Sequence, residues 1–227
     1  MRRSLISVLA CVLGTLALAG CGGDEDDSPS EQVAEEPPAA ESTCAPAEAP
    51  EPKQVSFDRP ERVLRHGERA SALVETTCGS FRIELDMRGS PKTANSFAFL
   101  AREGVYDGTW FHRIVPGFVI QGGDPNADGT GGPGYTVIER PPEDTSYLRG
   151  MVAMAKTAVE PPGASGSQFF VVTAPADADL PPQYAVLGEV VEGMDVAARI
   201  GKLGDPADPE GTPLEPVVIE SVTVERG

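Results

Sequence analysis

Residues 111–124 read FHRIVPGFVIQGGD and have the composition of a strand-forming segment. β-Branched and aromatic residues dominate it, and the Pro-Gly pair at 116–117 interrupts it as a turn. We therefore predict a strand-rich run from Trp110 to Gln121. Arg113 stands inside this apolar run, where an isolated arginine is typical of a surface ion-pair partner.

The flanking sequence predicts a domain of many short strands and two helices. Alternating apolar residues predict strands, and apolar residues at helical spacing predict helices. The Ser90-Pro91 pair supplies a cap and a first-turn proline for the first helix. The predicted elements are a hairpin at 72–85, a helix at 90–104, strands at 150–155, 168–173 and 185–190, a helix at 192–203 and a strand at 217–224. Such an order is typical of a mainly β fold, a closed antiparallel barrel capped by two helices.

Length and charge limit the classes of function. A chain of 227 residues has room for one well-buried domain with tails. The formal net charge is -17. Because binding to phosphates requires clustered Lys and Arg, nucleic acid is not an expected partner of so acidic a chain. With no amphipathic seam in the pattern, a monomer is the default expectation.

The N-terminus has the pattern of an export signal. Arg2 and Arg3 precede an apolar stretch, residues 5–18, that is too short for a comfortable membrane span. The stretch ends Leu-Ala-Gly-Cys at residues 18–21, which resembles the lipobox of bacterial lipoproteins. That resemblance implies a signal peptide at residues 1–20 and lipidation of Cys21, which would anchor the domain on the extracytoplasmic side of the cell membrane. An uncleaved anchor or an ordinary secretory signal remains open.

Residues 21–53 have the composition of a disordered tether. Ten acidic residues stand against one base between residues 22 and 53, and Pro and Ala fill most of the rest. Such a segment buries too little apolar area to offset its ordering entropy. We therefore place the folded domain at residues 54–227, with its core at about 72–224.

Two of the four cysteines remain after the signal and the lipidated residue are set aside. Cys44 and Cys78 could pair in an oxidising compartment. Two free thiols, or a buried Cys78, are equally consistent with the sequence.

Conventional catalytic motifs are absent from the sequence. It has two histidines and no GxSxG, HExxH or P-loop pattern. Residues 124–135 imitate the start of a calcium loop, but Tyr135 occupies the position that needs a bidentate Glu. We expect no metal and no cofactor, and we expect a structural role for His112.

Three separated motifs resemble the cyclophilin family of peptidyl-prolyl isomerases. They are residues 111–124, GSQFF at 166–170 and YAVLG at 184–188, and the similarity runs from about residue 72 to 224. The resemblance implies an eight-stranded barrel, with Arg113 at the catalytic position. The proline-pocket and peptide-groove positions that it implies are Phe118, Val119, Gln121, Ala155, Gln168, Phe170, Leu180 and Tyr184.

The chemistry of the implied reaction suits these residues. Rotating an X-Pro bond breaks amide resonance and needs neither a nucleophile nor a metal. Apolar side chains can wall a proline pocket, glutamines can hold the peptide backbone, and Arg113 can donate to the prolyl nitrogen as its lone pair localises. By spacing alone, Phe118 and Phe170 would be assigned to the core.

The sequence departs from the family pattern at three positions in the groove. Asp179 stands where many members carry a tryptophan, which puts tight cyclosporin binding in doubt. Tyr184 replaces a frequent histidine, and Val119 replaces a frequent methionine. The leading hypothesis is a lipid-anchored isomerase that acts on proline-containing exported polypeptides. The alternatives are a non-catalytic chaperone or scaffold that binds proline peptides and a purely structural lipoprotein.

Overall fold

The computed structural model describes residues 44–227. The predicted signal peptide at residues 1–20, the predicted lipidation site Cys21 and residues 22–43 of the predicted tether lie outside the described residues. Within residues 44–227, no helix is both long enough and apolar enough to cross a membrane.

The described residues form two helices and eleven strands. Helix α1 spans Pro91–Arg102 and helix α2 spans Met194–Ile200. The strands are β1 (Ala70–Thr76), β2 (Gly79–Leu85), β3 (Thr109–Trp110), β4 (Arg113–Val115), β5 (Val119–Gly122), β6 (Val137–Ile138), β7 (Met151–Met154), β8 (Ala164–Ser165), β9 (Phe169–Val172), β10 (Val186–Glu192) and β11 (Val218–Arg226).

Nine strands form one curled antiparallel sheet, a half-barrel, in the order β3-β11-β1-β2-β10-β7-β9-β5-β4. The remaining pair, β6 and β8, forms a separate two-stranded ribbon. The mainly β fold with two helices is confirmed, but the closed eight-stranded barrel is wrong. The edge strands β3 and β4 follow each other along the chain, separated only by Phe111 and His112. These two residues connect opposite edges of the sheet. Within residues 44–227, β3 and β4 are therefore joined by the chain itself and not by paired backbone hydrogen bonds.

Helix α1 begins where the sequence predicted, but a distant residue caps it. Ser90 occupies the N-cap position without a side-chain capping bond, and Pro91 follows it. The carboxylate of Glu139 accepts instead from the backbone N–H of Lys92 at 3.2 Å and of Thr93 at 2.7 Å. These N–H groups have no partner within a helix, so Glu139 satisfies two groups that would otherwise be unpaired.

An aromatic cluster fills the core between α1 and one face of the sheet. Phe97 stacks on Tyr106 with ring centroids 4.7 Å apart and meets Phe169 edge-on at 5.6 Å. Phe111 lies 6.2 Å from Phe169. All four rings are fully buried. Each ring contributes about 1.5–3 kcal/mol of burial free energy, so this cluster is a major source of stability.

Residues 44–57 lie along the domain, and we call them the N-terminal strap. A disulfide joins Cys44 to Cys78. The Lys53 ammonium donates to the carbonyls of Val105 at 2.8 Å and Asp107 at 2.5 Å, and burial lowers its pKa. Phe57 meets the Phe99 ring edge-on at 5.1 Å. Cys44 and Lys53, which the composition assigned to the tether, therefore contact the domain in the structure.

Candidate active site

A pocket of about 250 Å³ opens on the face of the sheet opposite the aromatic cluster. Successive residues of a strand point to opposite faces, so the sequence that builds the core also builds this pocket. Eight of the nine predicted site residues line it. The lining residues are Arg113, Phe118, Val119, Gln121, Ala155, Lys156, Phe170, Leu180 and Tyr184.

The hairpin of β4 and β5 sets the polar wall of the pocket. Arg113 stands directly opposite Gln121 in the antiparallel register, and Gln121 is paired in turn with Phe170 of β9. The alternate residues Ile114 and Ile120 are fully buried in the main core. The rigid sheet therefore fixes Arg113, Gln121 and Phe170 side by side.

Arg113 keeps most of its hydrogen-bonding groups unused within the described residues. Its Nε donates to the carbonyl oxygen of Glu210 at 3.1 Å. No carboxylate among residues 44–227 forms a salt bridge with its guanidinium. Gly211 allows the close approach, since an added Cβ would lie 3.1 Å from Cγ of Arg113 and its φ is +84°. The geometry orients a guanidinium at the pocket wall with donors to spare.

Aromatic rings form the apolar wall and a buried tyrosine holds them. Phe170 meets Tyr184 edge-on with centroids 5.4 Å apart, and Tyr147 meets Tyr184 at 5.9 Å. The Tyr147 hydroxyl donates to the carbonyl of Tyr184 at 2.7 Å and accepts from its N–H at 2.9 Å. Burial raises the pKa of Tyr147, which keeps the hydroxyl a neutral donor. No sequence feature indicated a role for Tyr147, because it lies outside the three motifs.

Gln168 is the predicted site residue that does not line this pocket. Its Nε2 donates to the carbonyls of Gly129 and Gly131, both at 2.9 Å, and its Oε1 accepts from Nε2 of Gln121 at 3.0 Å. Gln168 lines a neighbouring cleft of about 670 Å³. The cleft and the pocket share Gln121, Ala155 and Lys156, so they form one continuous groove.

Lys156 is a pocket residue that the sequence analysis missed. Its Nζ donates to the carbonyls of Thr157 at 2.9 Å and Glu160 at 3.1 Å, and it lies 5.9 Å from the ring centroid of Tyr184. A single lysine outside the three motifs carries no sequence signal of its own. The fold places Lys156, two residues after β7, in the lining of the pocket.

His112 lies away from the pocket lining and is partly buried. Neither of its ring nitrogens has a hydrogen-bond partner among the described residues. Burial lowers its pKa, and the nearby Asp124 carboxylate opposes that effect. Asp124 is itself buried and accepts from the N–H groups of Asn126 and Asp128. The acidic loop after β5 is therefore organised by its own backbone.

Asp179 lies outside the pocket lining. It is exposed, and its φ of 53° places it in the left-handed region. The departure from the family pattern therefore falls beside the pocket, at a position that adds no apolar wall.

Residues 72–224 match the family model described as cyclophilin type peptidyl-prolyl cis-trans isomerase/CLD. The peptidyl-prolyl cis-trans isomerase-like 1 of Neurospora crassa is 40% identical over 157 residues, which cover 67% of this chain and 93% of that protein. The peptidyl-prolyl cis-trans isomerase B of Streptomyces anulatus is 39% identical over 177 residues, 70% of this chain and 98% of that protein.

Two further relatives extend the comparison. The probable peptidyl-prolyl cis-trans isomerase B of Mycobacterium leprae is 35% identical over 206 residues, 83% of this chain and 65% of that protein. The crystal structure of a cyclophilin type peptidyl-prolyl cis-trans isomerase of Cryptosporidium parvum superposes with a TM-score of 0.60 at 29% identity, over 70% of this chain and 99% of that one. The chain belongs to the family of cyclophilin type peptidyl-prolyl cis-trans isomerases.

Proposed function

We propose that this peptidyl-prolyl isomerase rotates X-Pro bonds of exported polypeptides in the pocket beside Arg113. The single observation that carries the assignment of the site is the convergence of eight predicted site residues, distant in sequence, on one pocket. An isomerase needs an apolar cavity for the ring and a polar donor beside the imide. The pocket offers both on adjacent strands.

The apolar wall takes the proline ring. Val119 and Phe170 are buried, while Phe118, Leu180 and Tyr184 are partly exposed at the mouth. A proline ring that enters a pocket of this kind displaces water, which strengthens the polar contacts at the edge of the pocket. Discrimination for proline follows from the fit of its ring between these side chains.

Arg113 lowers the barrier to rotation. Planarity of the amide costs about 18–20 kcal/mol to break, because the nitrogen lone pair is delocalised into the carbonyl. At the twisted transition state the lone pair localises on nitrogen and becomes a stronger acceptor. A donor that binds this state better than the planar one increases kcat, and such a donor contributes about 3–4 kcal/mol. No covalent bond forms or breaks.

The two glutamines divide the work of holding the peptide. The side-chain amide of Gln168 donates to two carbonyls of the glycine-rich loop, so Gln168 holds the wall of the cleft in place. Gln121 lines the pocket and uses one amide hydrogen on Gln168. Its carbonyl oxygen is the group that accepts from a backbone N–H of the peptide.

The lipid anchor is the other part of the proposal, supported by the sequence pattern of residues 1–21. With Cys21 lipidated, the acidic residues 22–43 would separate the domain from the membrane surface. Labelling of growing cells with an alkyne fatty acid should mark the wild-type protein and leave a Cys21→Ser variant unmarked. Equal labelling of both would overturn the anchor.

Exchange spectroscopy by NMR on a peptide with one X-Pro bond tests the function itself. The purified protein should speed cis-trans exchange at catalytic concentrations. Binding of the peptide without any acceleration would instead favour a proline-binding chaperone or scaffold. Neither binding nor acceleration, across several residues before proline, would overturn both readings.

A further inference from the structure

The pocket is a positive spot on an acidic protein. The chain carries a formal net charge of -17, yet the pocket lining includes Arg113 and Lys156 and no Asp or Glu. Within residues 44–227, neither cation forms a salt bridge with a carboxylate. The neighbouring cleft, which Lys156 also lines, includes one acidic residue, Glu160. A cation that forms no salt bridge is available to a ligand.

Two backbone carbonyls, of Thr157 and Glu160, hold the Lys156 ammonium in place. An ammonium has three donors, so one remains for a ligand. The carboxylate of Glu160 is engaged elsewhere, because it accepts from the N–H of Thr157 at 2.7 Å and from its hydroxyl at 2.8 Å. Fixing the ammonium in advance reduces the entropy that a long side chain loses when it forms an ion pair.

Lys156 stands where the pocket meets the neighbouring cleft. Gln121 and Ala155 share this border with it. A peptide whose proline fills the pocket and whose chain continues into the cleft must therefore pass the ammonium. The side chain that meets Lys156 belongs to a residue close to the proline in sequence.

We propose that Lys156 is a specificity-determining residue that selects polypeptides carrying an acidic side chain near the isomerised proline. The inference rests on the proposed function, because it requires the proline to occupy the pocket. The acidic surface repels a polyanionic client at long range, but solution salt screens that repulsion over about 8 Å. A single carboxylate beside the proline lies in contact with Lys156, at a distance too short for salt to screen the attraction fully.

The test uses single-proline peptides in which glutamine occupies the three positions on each side. One glutamine at a time is replaced by Glu or by Lys, and kcat/KM is measured by NMR exchange. For at least one position we expect the Glu peptide to exceed the Gln peptide by about three- to fivefold, as a partly exposed ion pair gives. The Lys peptide should fall below the Gln peptide, and raising the salt concentration should shrink both differences.

Variants assign the preference to the charge of residue 156. The ratio of Glu to Gln peptides within one variant cancels any change in its basal rate. That ratio should persist in Lys156→Arg, fall to about one in Lys156→Gln and invert toward the Lys peptide in Lys156→Glu. The matched control is Lys92→Gln, an exposed lysine of α1 outside the groove, which should keep the wild-type ratio.

The outcomes distinguish the selectivity assigned to Lys156 from the isomerase activity on which it depends. Acceleration of the neutral peptide with a ratio near one at every position overturns the inference and leaves the isomerase intact. A ratio that survives in Lys156→Gln also overturns it, because the preference then has another source. Failure to accelerate even the neutral peptide overturns the function and the inference together.

Discussion

Phe169 and Phe170 are neighbours on β9, and they belong to different parts of the molecule. Phe169 is fully buried among Phe97, Tyr106 and Phe111. Phe170 is 4% exposed and packs with Tyr147 and Tyr184 at the pocket. The same side chain therefore supports folding at one position and shapes a ligand pocket at the next.

The same division holds on β4 and β5. Ile114 and Ile120 point into the core, whereas Arg113 and Gln121 line the pocket. One sheet thus has a face that stabilises the fold and a face that supplies chemistry. If the two faces are independent, substitutions should change either the free energy of unfolding or the rate of isomerisation, and seldom both.

The largest expected effect is on the core face. Phe169→Ala removes a ring packed against three others and should lower the free energy of unfolding by about 3–5 kcal/mol. Chemical denaturation measures this loss. Leu214→Ala is the control, since that side chain is 65% exposed and should change stability by less than about 0.5 kcal/mol. A loss below about 1 kcal/mol for Phe169→Ala would contradict the assignment of this face to the core.

Removing the disulfide should also affect stability more than catalysis. Cys44 and Cys78 are 34 residues apart in sequence, and neither lines the pocket. Replacing both by Ala should cost about 2–4 kcal/mol of stability because the unfolded chain gains freedom. Thermal unfolding and kcat/KM are measured on the same samples. A loss of isomerase rate with unchanged stability would show that the strap acts on the groove.

Gln168 sharpens the comparison, because it acts on the groove through the loop that it holds. Gln168→Leu removes two bonds to carbonyls and leaves Gln121 without its acceptor. We expect a loss of about 1–2 kcal/mol, roughly 5- to 30-fold in kcat/KM, carried mainly by KM. The control Gln183→Leu changes an exposed glutamine outside the pocket lining. A fall in kcat alone would contradict a positioning role.

The smallest expected effect is the pH dependence from His112. Its pKa is lowered in the folded state by burial, with Asp124 and Asp128 opposing and Arg113 reinforcing that shift. The unfolded chain therefore binds more protons just below about pH 6.5, and stability should fall as the pH decreases through that interval. Denaturation across pH 5–7.5 should show a flatter profile for His112→Gln. The exposed His66→Gln is the control, and identical profiles for all three proteins would contradict the account.

The sequence predicted which residues lie together around one pocket, but not how the sheet closes. The resemblance named eight residues that line one pocket, and β4, β5 and β9 carry four of them. The run from Trp110 to Gln121, predicted as a strand with one interruption, divides into β3, β4 and β5. Sheet closure depends on pairing between distant segments, and local alternation does not report it.

Other differences have equally local causes. The second helix begins later than predicted because Gly193, with φ of 76°, precedes its first residue, and it ends at Ile200 rather than at 203. Composition assigned residues 44–53 to the tether, but it does not show that Lys53 donates to three carbonyls in the loop after α1. Lys156 and Tyr147 escaped notice because their roles arise from tertiary contacts alone. The roles of Arg113 and of the groove residues, the cleavage site and lipidation at Cys21 remain predictions.

The most direct test of the central claim is the isomerisation rate of Arg113→Ala beside Arg88→Ala, an exposed arginine outside the pocket. Loss of a donor at the twisted imide should reduce kcat/KM about 100-fold or more, with the free energy of unfolding changed by less than about 0.5 kcal/mol. The Arg88 variant should match the wild type in both measurements. A folded Arg113→Ala protein that isomerises its peptide at the wild-type rate would contradict the assignment of catalysis to this face of the sheet.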